Sequence, residues 1–207
     1  MIDTIVLETD LSKCNQRLRI SPFDPRIYIY RGMIYFKLGR LLDSLQDFNK
    51  AEELNPQLTP YLWARGITYY YLNKYSKGAR QFELDLSVNS LDVEETLWHY
   101  LCIAQLENSL SARECLLPVK YDLPLFMSQI YHLFAGNFSI ESLLNTVKTT
   151  NIRDLFYFNL YLGLYYEAEK EPKYSIFYIN KAIDCKIDDY MWYLACVHRQ
   201  LRLKNET

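Results

Sequence analysis

Along most of this chain apolar residues recur at spacings of three and four, the period of a helix with one buried face. One stretch of that pattern lies in register with the next. PRIYIYRGMIYFKLGRLLDSLQDFNKAEELNP, Pro25 to Pro56, aligns with PYLWARGITYYYLNKYSKGARQFELDLSVNS, Pro60 to Ser90. Arg31-Gly32 returns as Arg65-Gly66, Tyr35 as Tyr69 and Phe48 as Phe82, each pair 34 residues apart. A fixed period of that length decides the architecture, because a single helix pair cannot bury its apolar face alone and must stack on its neighbours. The period also runs backwards: Pro22 precedes Pro56 by 34, so residues 10–22 read as the second helix of an incomplete unit.

A further unit stands near the end. In LYLGLYYEAEKEPKYSIFYINKAIDCK, Gly163 takes the small position, Tyr166 follows three later, Ser175 occupies the small position of the second helix and Ala182 comes seven on. Between the clear units, residues 92–148 read as two degenerate helix pairs. LWHYLCIAQLENSLSARECL puts Cys102 near the small position but Gln105 where tyrosine is expected, and the next pair turns at Gly136-Asn137, 34 before Lys170. The chain divides into a half repeat at 10–22, repeats at 25–56 and 60–90, the degenerate pairs, a repeat at 152–187 and an amphipathic capping helix at 188–203, all within a single domain, 1–207.

Sterics explain the recurring residues. Mid-helix glycine costs about 1 kcal/mol against alanine, so glycines in register imply a neighbouring helix passing too close for a side chain. Tyr35, Tyr69 and Tyr166 are expected to fill the space between paired helices, and Phe48 and Phe82 to pack into the following unit. Pro22 and Pro56 end their helices, since proline has no N–H to continue the ladder.

These residues at this spacing resemble the tetratricopeptide-repeat (TPR) family over about residues 10 to 90 and 152 to 190. The resemblance implies an all-α, TPR-type helical-repeat solenoid of antiparallel helix pairs with a C-terminal capping helix. Over residues 25 to 200 the chain is also similar to one branch, the bacterial NlpI-type lipoproteins: RG-x-x-YY, then Leu97 to Gln105, the Gly136 to Ser139 turn, and FNLYLGLYY. That likeness implies an adaptor that brings hydrolases or proteases to their substrates, often as a dimer. Its lipid anchor is not carried over, because Cys14 lacks the apolar segment of a lipoprotein signal.

In TPR proteins positions two, five, nine, twelve and thirteen of each first helix line a concave groove. By resemblance the lining here is Arg26, Ile29, Met33, Phe36 and Lys37, then Trp63, Ile67, Tyr70 and Tyr71, then His99 and Ile103 with Leu106. It is aromatic and apolar more than charged, which suits a partner's helix or extended segment that inserts bulky side chains. Units that hold a chaperone's C-terminal carboxylate use Lys and Asn at the fifth and ninth places. Here those places are Ile29 and Met33, then Trp63 and Ile67, so that reading is rejected. Two readings of Tyr70 and Tyr71 stand open, lining of the groove or burial by the third repeat or the cap. Arg31 and Arg65 invite a ligand, but pairing with a second-helix acid such as Asp47 explains them better.

Composition narrows the function. A formal net charge of −2 offers no concentrated cationic surface for phosphates, so no nucleic acid is expected. Only 6 glycines and 7 prolines in 207 residues favour helices over a turn-rich β fold, and 19 tyrosines weakly favour interfaces. The 5 cysteines are scattered and never form C-x-x-C, which suits reduced thiols, no zinc site and a cytoplasmic location. A basic, apolar secretory leader is not apparent at the start, and no run is long enough for a membrane span. No nucleotide-binding, zinc-protease or nucleophile-elbow motif occurs, so no catalysis and no cofactor are expected. Glu95 and His99, four apart, lack a third metal ligand and read as an exposed helix pair. The expected function is a protein-binding adaptor or scaffold, with a structural subunit or homodimer whose groove is internally occupied as the alternative.

Overall fold

The structure is a computed structural model that describes residues 4–90, 92–118, 125–146 and 151–203. Every regular element among them is helical. The chain forms two compact units, Met1–Asn89 and Ser90–Thr207. The first holds α1 (Thr4–Ile20), α2 (Pro25–Lys37), α3 (Leu41–Leu54), a 3-10 turn (Pro56–Tyr61), α4 (Trp63–Tyr71) and α5 (Tyr75–Val88). The second holds α6 (Val93–Leu106), α7 (Ser109–Glu114), α8 (Leu125–Phe134), α9 (Ile140–Thr146), α10 (Ile152–Ala168), α11 (Pro172–Asp184) and α12 (Tyr190–Leu203).

Local chemistry sets where these helices begin and end. Asp24 caps α2 by accepting the Arg26 N–H at 2.9 Å, with Pro25 opening the helix. Four first helices end alike, each on a residue with positive φ: Gly39, Asn73, Gly136 and Lys170. Gly39 and Asn73 are 34 apart, as are Gly136 and Lys170. In each case the next N–H turns back onto the helix, from Arg40 to Tyr35, Lys74 to Tyr69, Asn137 to His132 and Glu171 to Tyr166. Such a left-handed stop reverses the chain within two or three residues and lays the second helix antiparallel to the first.

The glycines sit where helices meet most closely. A Cβ on Gly66 would lie 2.6 Å from the Phe82 ring, one on Gly163 2.8 Å from Ile179, and one on Gly32 3.2 Å from both Phe48 and the Ser44 carbonyl oxygen. The side chain met is in each case that of the residue sixteen later, on the second helix of the same pair. Phe48 and Phe82, expected to reach into the following unit, are thus found closing on the glycine of their own pair. Where the small residue is lost the second helix is short. Tyr100 stands 34 after Gly66, and α7 has 6 residues. The second helices opposite Gly32, Gly66 and Gly163 have 14, 14 and 13.

In the first unit α1 packs against α2, burying Leu7, Leu11, Cys14 and Leu18 and leaving Thr9, Ser12, Lys13 and Gln16 exposed together with Ile5, Val6 and Ile20. In the second unit α6 and α10 are buried nearly all round, and α6 packs against α7, α8 and α10. α12 lies on α11, donating from the Trp192 indole to the Ile183 carbonyl at 2.9 Å.

Candidate protein-binding surface

The repeated arginines show how the first unit is held in register. Arg31 forks onto Asp47, with Nε to Oδ2 and Nη2 to Oδ1 both 2.7 Å, while Nη1 donates to Asn15 Oδ1 at 2.8 Å. Arg65 repeats the geometry 34 residues on: Nε donates to Gln81 at 2.8 Å, and Nη1 reaches Asn49 at 3.4 Å. Asn15 and Asn49 lie sixteen before their arginines, and Asp47 and Gln81 sixteen after. Each arginine therefore ties three consecutive helices together. Gln81 carries no charge, and Arg65 finds its counter-ion in Glu52 on the preceding helix, at 2.7 and 2.9 Å. Burial pushes the Asp47 carboxyl above its ordinary value although Arg31 opposes it; Arg65 holds the more exposed Glu52 below its own. Both arginines are thus engaged with acids of the fold, as pairing with Asp47 led one to expect.

The residues expected to line a groove separate into two groups. Arg26 is exposed, and Ile29, Met33, Lys37, Trp63 and Ile103 are partly exposed. Phe36, Ile67, Tyr70 and Tyr71 are buried, so for them the expectation is corrected: their rings and branches are spent on packing. Phe36 meets Tyr71 with ring centroids 5.8 Å apart, and Tyr70 meets Tyr75 edge-on at 5.4 Å. His99 is buried too, at 6% exposure, which overturns both its place in the lining and the exposed pair with Glu95. It stands 34 after Arg65, at the position of the tying arginines, and that spacing was available to place it.

What remains open in the first unit is a stripe on α2. Arg26, Ile29, Met33 and Lys37, spaced three and four apart, share one helix face, with Tyr30 half exposed beside them. Trp63 on α4 stands one repeat after Ile29 and carries the same position into the second pair.

The second unit is organised by polar groups around α10. At one end Tyr161 donates to Glu94 at 2.8 Å, Tyr157 donates to Asp189 at 3.1 Å, and Arg153 reaches the same Asp189 oxygen at 2.6 Å. Burial, with Asp92 and Asp189 adding repulsion, pushes the Glu94 carboxyl up to about 7 against the hydrogen bond from Tyr161. Towards the other end Arg113 pairs with Glu169 and Arg202 with Glu167. His198, fully buried with Nδ1 4.0 Å from Glu167, is pushed down to about 4 by that burial. A cavity of about 420 Å³ opens between α9, α10 and α11, which the helical periodicity did not flag. Among the described residues no group of three or more His, Cys, Asp or Glu could hold a metal ion, and no helix is long and apolar enough to cross a membrane.

Glycine-seated antiparallel pairs, left-handed stops at a 34-residue spacing and arginines tying successive helices define a helical-repeat protein. Within that class the chain resembles the tetratricopeptide-repeat proteins over its first clear repeat: the family model described as Tetratricopeptide repeat matches residues 25–58. The fold is similar to that of a tetratricopeptide repeat protein from Parabacteroides merdae ATCC 43184, with TM-score 0.56 and 18% identity, over 97% of this chain and 79% of that one. Among curated proteins it is similar to the Protein SGT1 homolog of Bos taurus, 30% identical over 58% of this chain and 37% of that protein. It is also similar to the Hsp70-Hsp90 organizing protein of Triticum aestivum, 26% identical over 46% of this chain and 16% of that protein. The chain spans well under half the length of these two relatives.

Proposed function

We propose that this protein is an adaptor whose first unit holds a peptide segment or helix of a partner protein against α2 and α4. The stripe of Arg26, Ile29, Met33 and Lys37, continued by Trp63 one repeat on, carries the reading. Apolar and aromatic side chains left partly exposed on a rigid helix face are anchors that a partner's bulky residues can desolvate. Helix pairs tied by arginine forks supply the rigidity, so little ordering is lost on binding. One relative is named for organizing Hsp70 and Hsp90, which favours protein partners here as well. A chaperone-type carboxylate tail is not the expected ligand, because Ile29, Met33, Trp63 and Ile67 offer no cation at the places such a tail needs. Peptides with an amidated and a free C-terminus should therefore bind alike.

The test is affinity capture from the native source with the whole chain and with a Met33→Ala, Trp63→Ala double variant. Partners retained by the natural chain and lost from the variant support the assignment. Identical capture by both removes the surface from consideration.

A structural role is the second reading, and the second unit favours it. Leu97, Leu101 and Ala104, 34 after Trp63, Ile67 and Tyr70, are fully buried, so this unit fills with its own helices the face that a groove would use. Light scattering separates the two: a stable monomer at micromolar concentration argues against an obligate homodimer.

A further inference from the structure

We infer that the turn between α1 and α2 is a docking tip for an anionic lipid surface, inserting Ile20 and Phe23 among the headgroups while Arg17, Arg19 and Arg26 pair with lipid phosphates. The tip stands at one end of the first unit, shares only Arg26 with the α2 and α4 face, and goes beyond the reading of that face.

Ile20, at 84%, and Phe23, at 78%, are two of the three most exposed large apolar side chains among the described residues. Looseness of the chain does not explain them, because the turn that carries them is tied by hydrogen bonds. The Ser21 N–H donates to the Arg17 carbonyl at 2.8 Å, the Asp24 N–H to the Ser21 carbonyl at 3.3 Å and the Tyr28 hydroxyl to the Pro22 carbonyl at 3.0 Å. Pro22 and Pro25 fix φ on either side of Phe23. A turn so held presents its apolar tips at little ordering cost on contact. Tyr61, 63% exposed in the connection from α3 to α4, lies at the same end of the unit, because α1 and α3 finish there and α2 and α4 begin there. Its ring, apolar with a polar edge, is of the kind that settles at headgroup level.

Charge selects the occupant. Residues 17–26 hold three arginines against the single carboxylate of Asp24, in a chain whose formal net charge is −2. Asp24 is committed to the α2 cap, with Arg26 3.6 Å away. Arg17 and Arg19 form no hydrogen bond or ion pair among the described residues, and all three arginines are exposed. Glu52 and Glu53, the acids where α3 ends, are held by Arg65 and Lys50. Open guanidinium groups thus flank two apolar tips, and each can fork onto a phosphate while its stem lies along the acyl boundary. Side chains as exposed as Ile20 and Phe23 protrude, a shape that enters a lipid interface and does not grip a peptide.

Sucrose-loaded vesicles of phosphatidylcholine, plain or with one-third phosphatidylserine, are sedimented with the whole chain at fixed ionic strength. The chain should pellet with the anionic vesicles only, and added salt should release it. Ile20→Ser with Phe23→Ser should weaken partition about tenfold or more, and Arg17→Glu or Arg19→Glu about fivefold each. Arg80→Glu, an equal change of charge on α5, should leave partition unaltered. Phe23→Trp should shift its emission to the blue on anionic vesicles, which reports the ring leaving water. The altered side chains are all exposed, so loss of binding is not loss of structure. Met33→Ala with Trp63→Ala should still bind vesicles, which keeps the outcome separate from that of the α2 and α4 face. Equal pelleting with both kinds of vesicle, none with either, or undiminished pelleting of the Ile20→Ser, Phe23→Ser chain overturns the assignment. Proteins captured by the natural chain and lost from that variant, without any vesicle binding, overturn it in favour of a protein partner at the tip.

Discussion

Glu94 and His198 make opposite demands on the second unit as pH changes, and their removal one at a time should expose both. The Glu94 carboxyl is pushed from 4.5 to about 7, so the folded chain keeps a proton that the unfolded chain has released. Its contribution is fully present below about pH 4.5 and is lost as pH rises through about 7. The His198 imidazole is pushed from 6.5 to about 4, so the unfolded chain binds a proton that the folded one refuses. Its contribution is present above about pH 6.5 and is lost as pH falls towards 4. Each shift spans about two and a half units at about 1.4 kcal/mol per unit, giving roughly 3 kcal/mol of opposite sign over nearly the same window. Glu94 keeps some contact with solvent, so its figure is an upper bound. For these two groups the natural chain should be close to neutral in that window.

Glu94→Gln preserves an acceptor for Tyr161 and removes the titration. Trp98 and Trp192 report on the second unit by fluorescence, and Trp63→Phe silences the first. In urea unfolding at fixed ionic strength, the variant's stability relative to the natural chain should rise by up to about 3 kcal/mol between about pH 4.5 and 8. His198→Gln should show the mirror image, gaining relative stability as pH falls below about 6.5. Any change in hydrogen bonding or packing offsets a whole curve and does not tilt it. A Glu94→Gln difference that stays level to within about 0.5 kcal/mol across the window refutes the claim that burial governs this carboxyl.

Three further outcomes follow from the packing. Gly66→Ala drives a methyl into the buried Phe82 ring and should cost about 2 kcal/mol or more in chemical unfolding. Gly32→Ala, with 3.2 Å available, should cost less, and Phe82→Leu should recover part of the Gly66→Ala loss. Asp47→Asn leaves Arg31 without a counter-ion in a nearly buried pair and should cost about 3 kcal/mol, whereas Arg31→Met with Asp47→Leu should cost less than the two single changes summed. Lys170→Gly relieves a left-handed lysine at φ 61° and should stabilise by about 0.5 to 1 kcal/mol in a thermal melt, since the exposed Lys170–Gln105 hydrogen bond contributes little.

The repeat was legible because its steric demands fall on residues with few substitutes. Only a side chain as small as glycine fits opposite Phe82, and only a forked cation spans from Asn15 to Asp47, so Gly66 and Arg31 announce themselves by type as well as spacing. The surface was less legible. Tyrosine and phenylalanine suit both a groove and a helix contact, and at the twelfth and thirteenth positions nothing in Phe36, Tyr70 or Tyr71 distinguishes the two; all three are buried. α6 and α10 hid their roles for another reason: helices covered on every side lose the polar stripe that dates their register, and so the register for His99 slipped from the arginine position to a lining one. The cavity beside Asn159 was beyond reach of periodicity altogether. Its lining comes from residues on two successive helix pairs, Leu144 on one and Leu155, Phe158, Asn159 and Tyr178 on the next, so no single position of the period marks it.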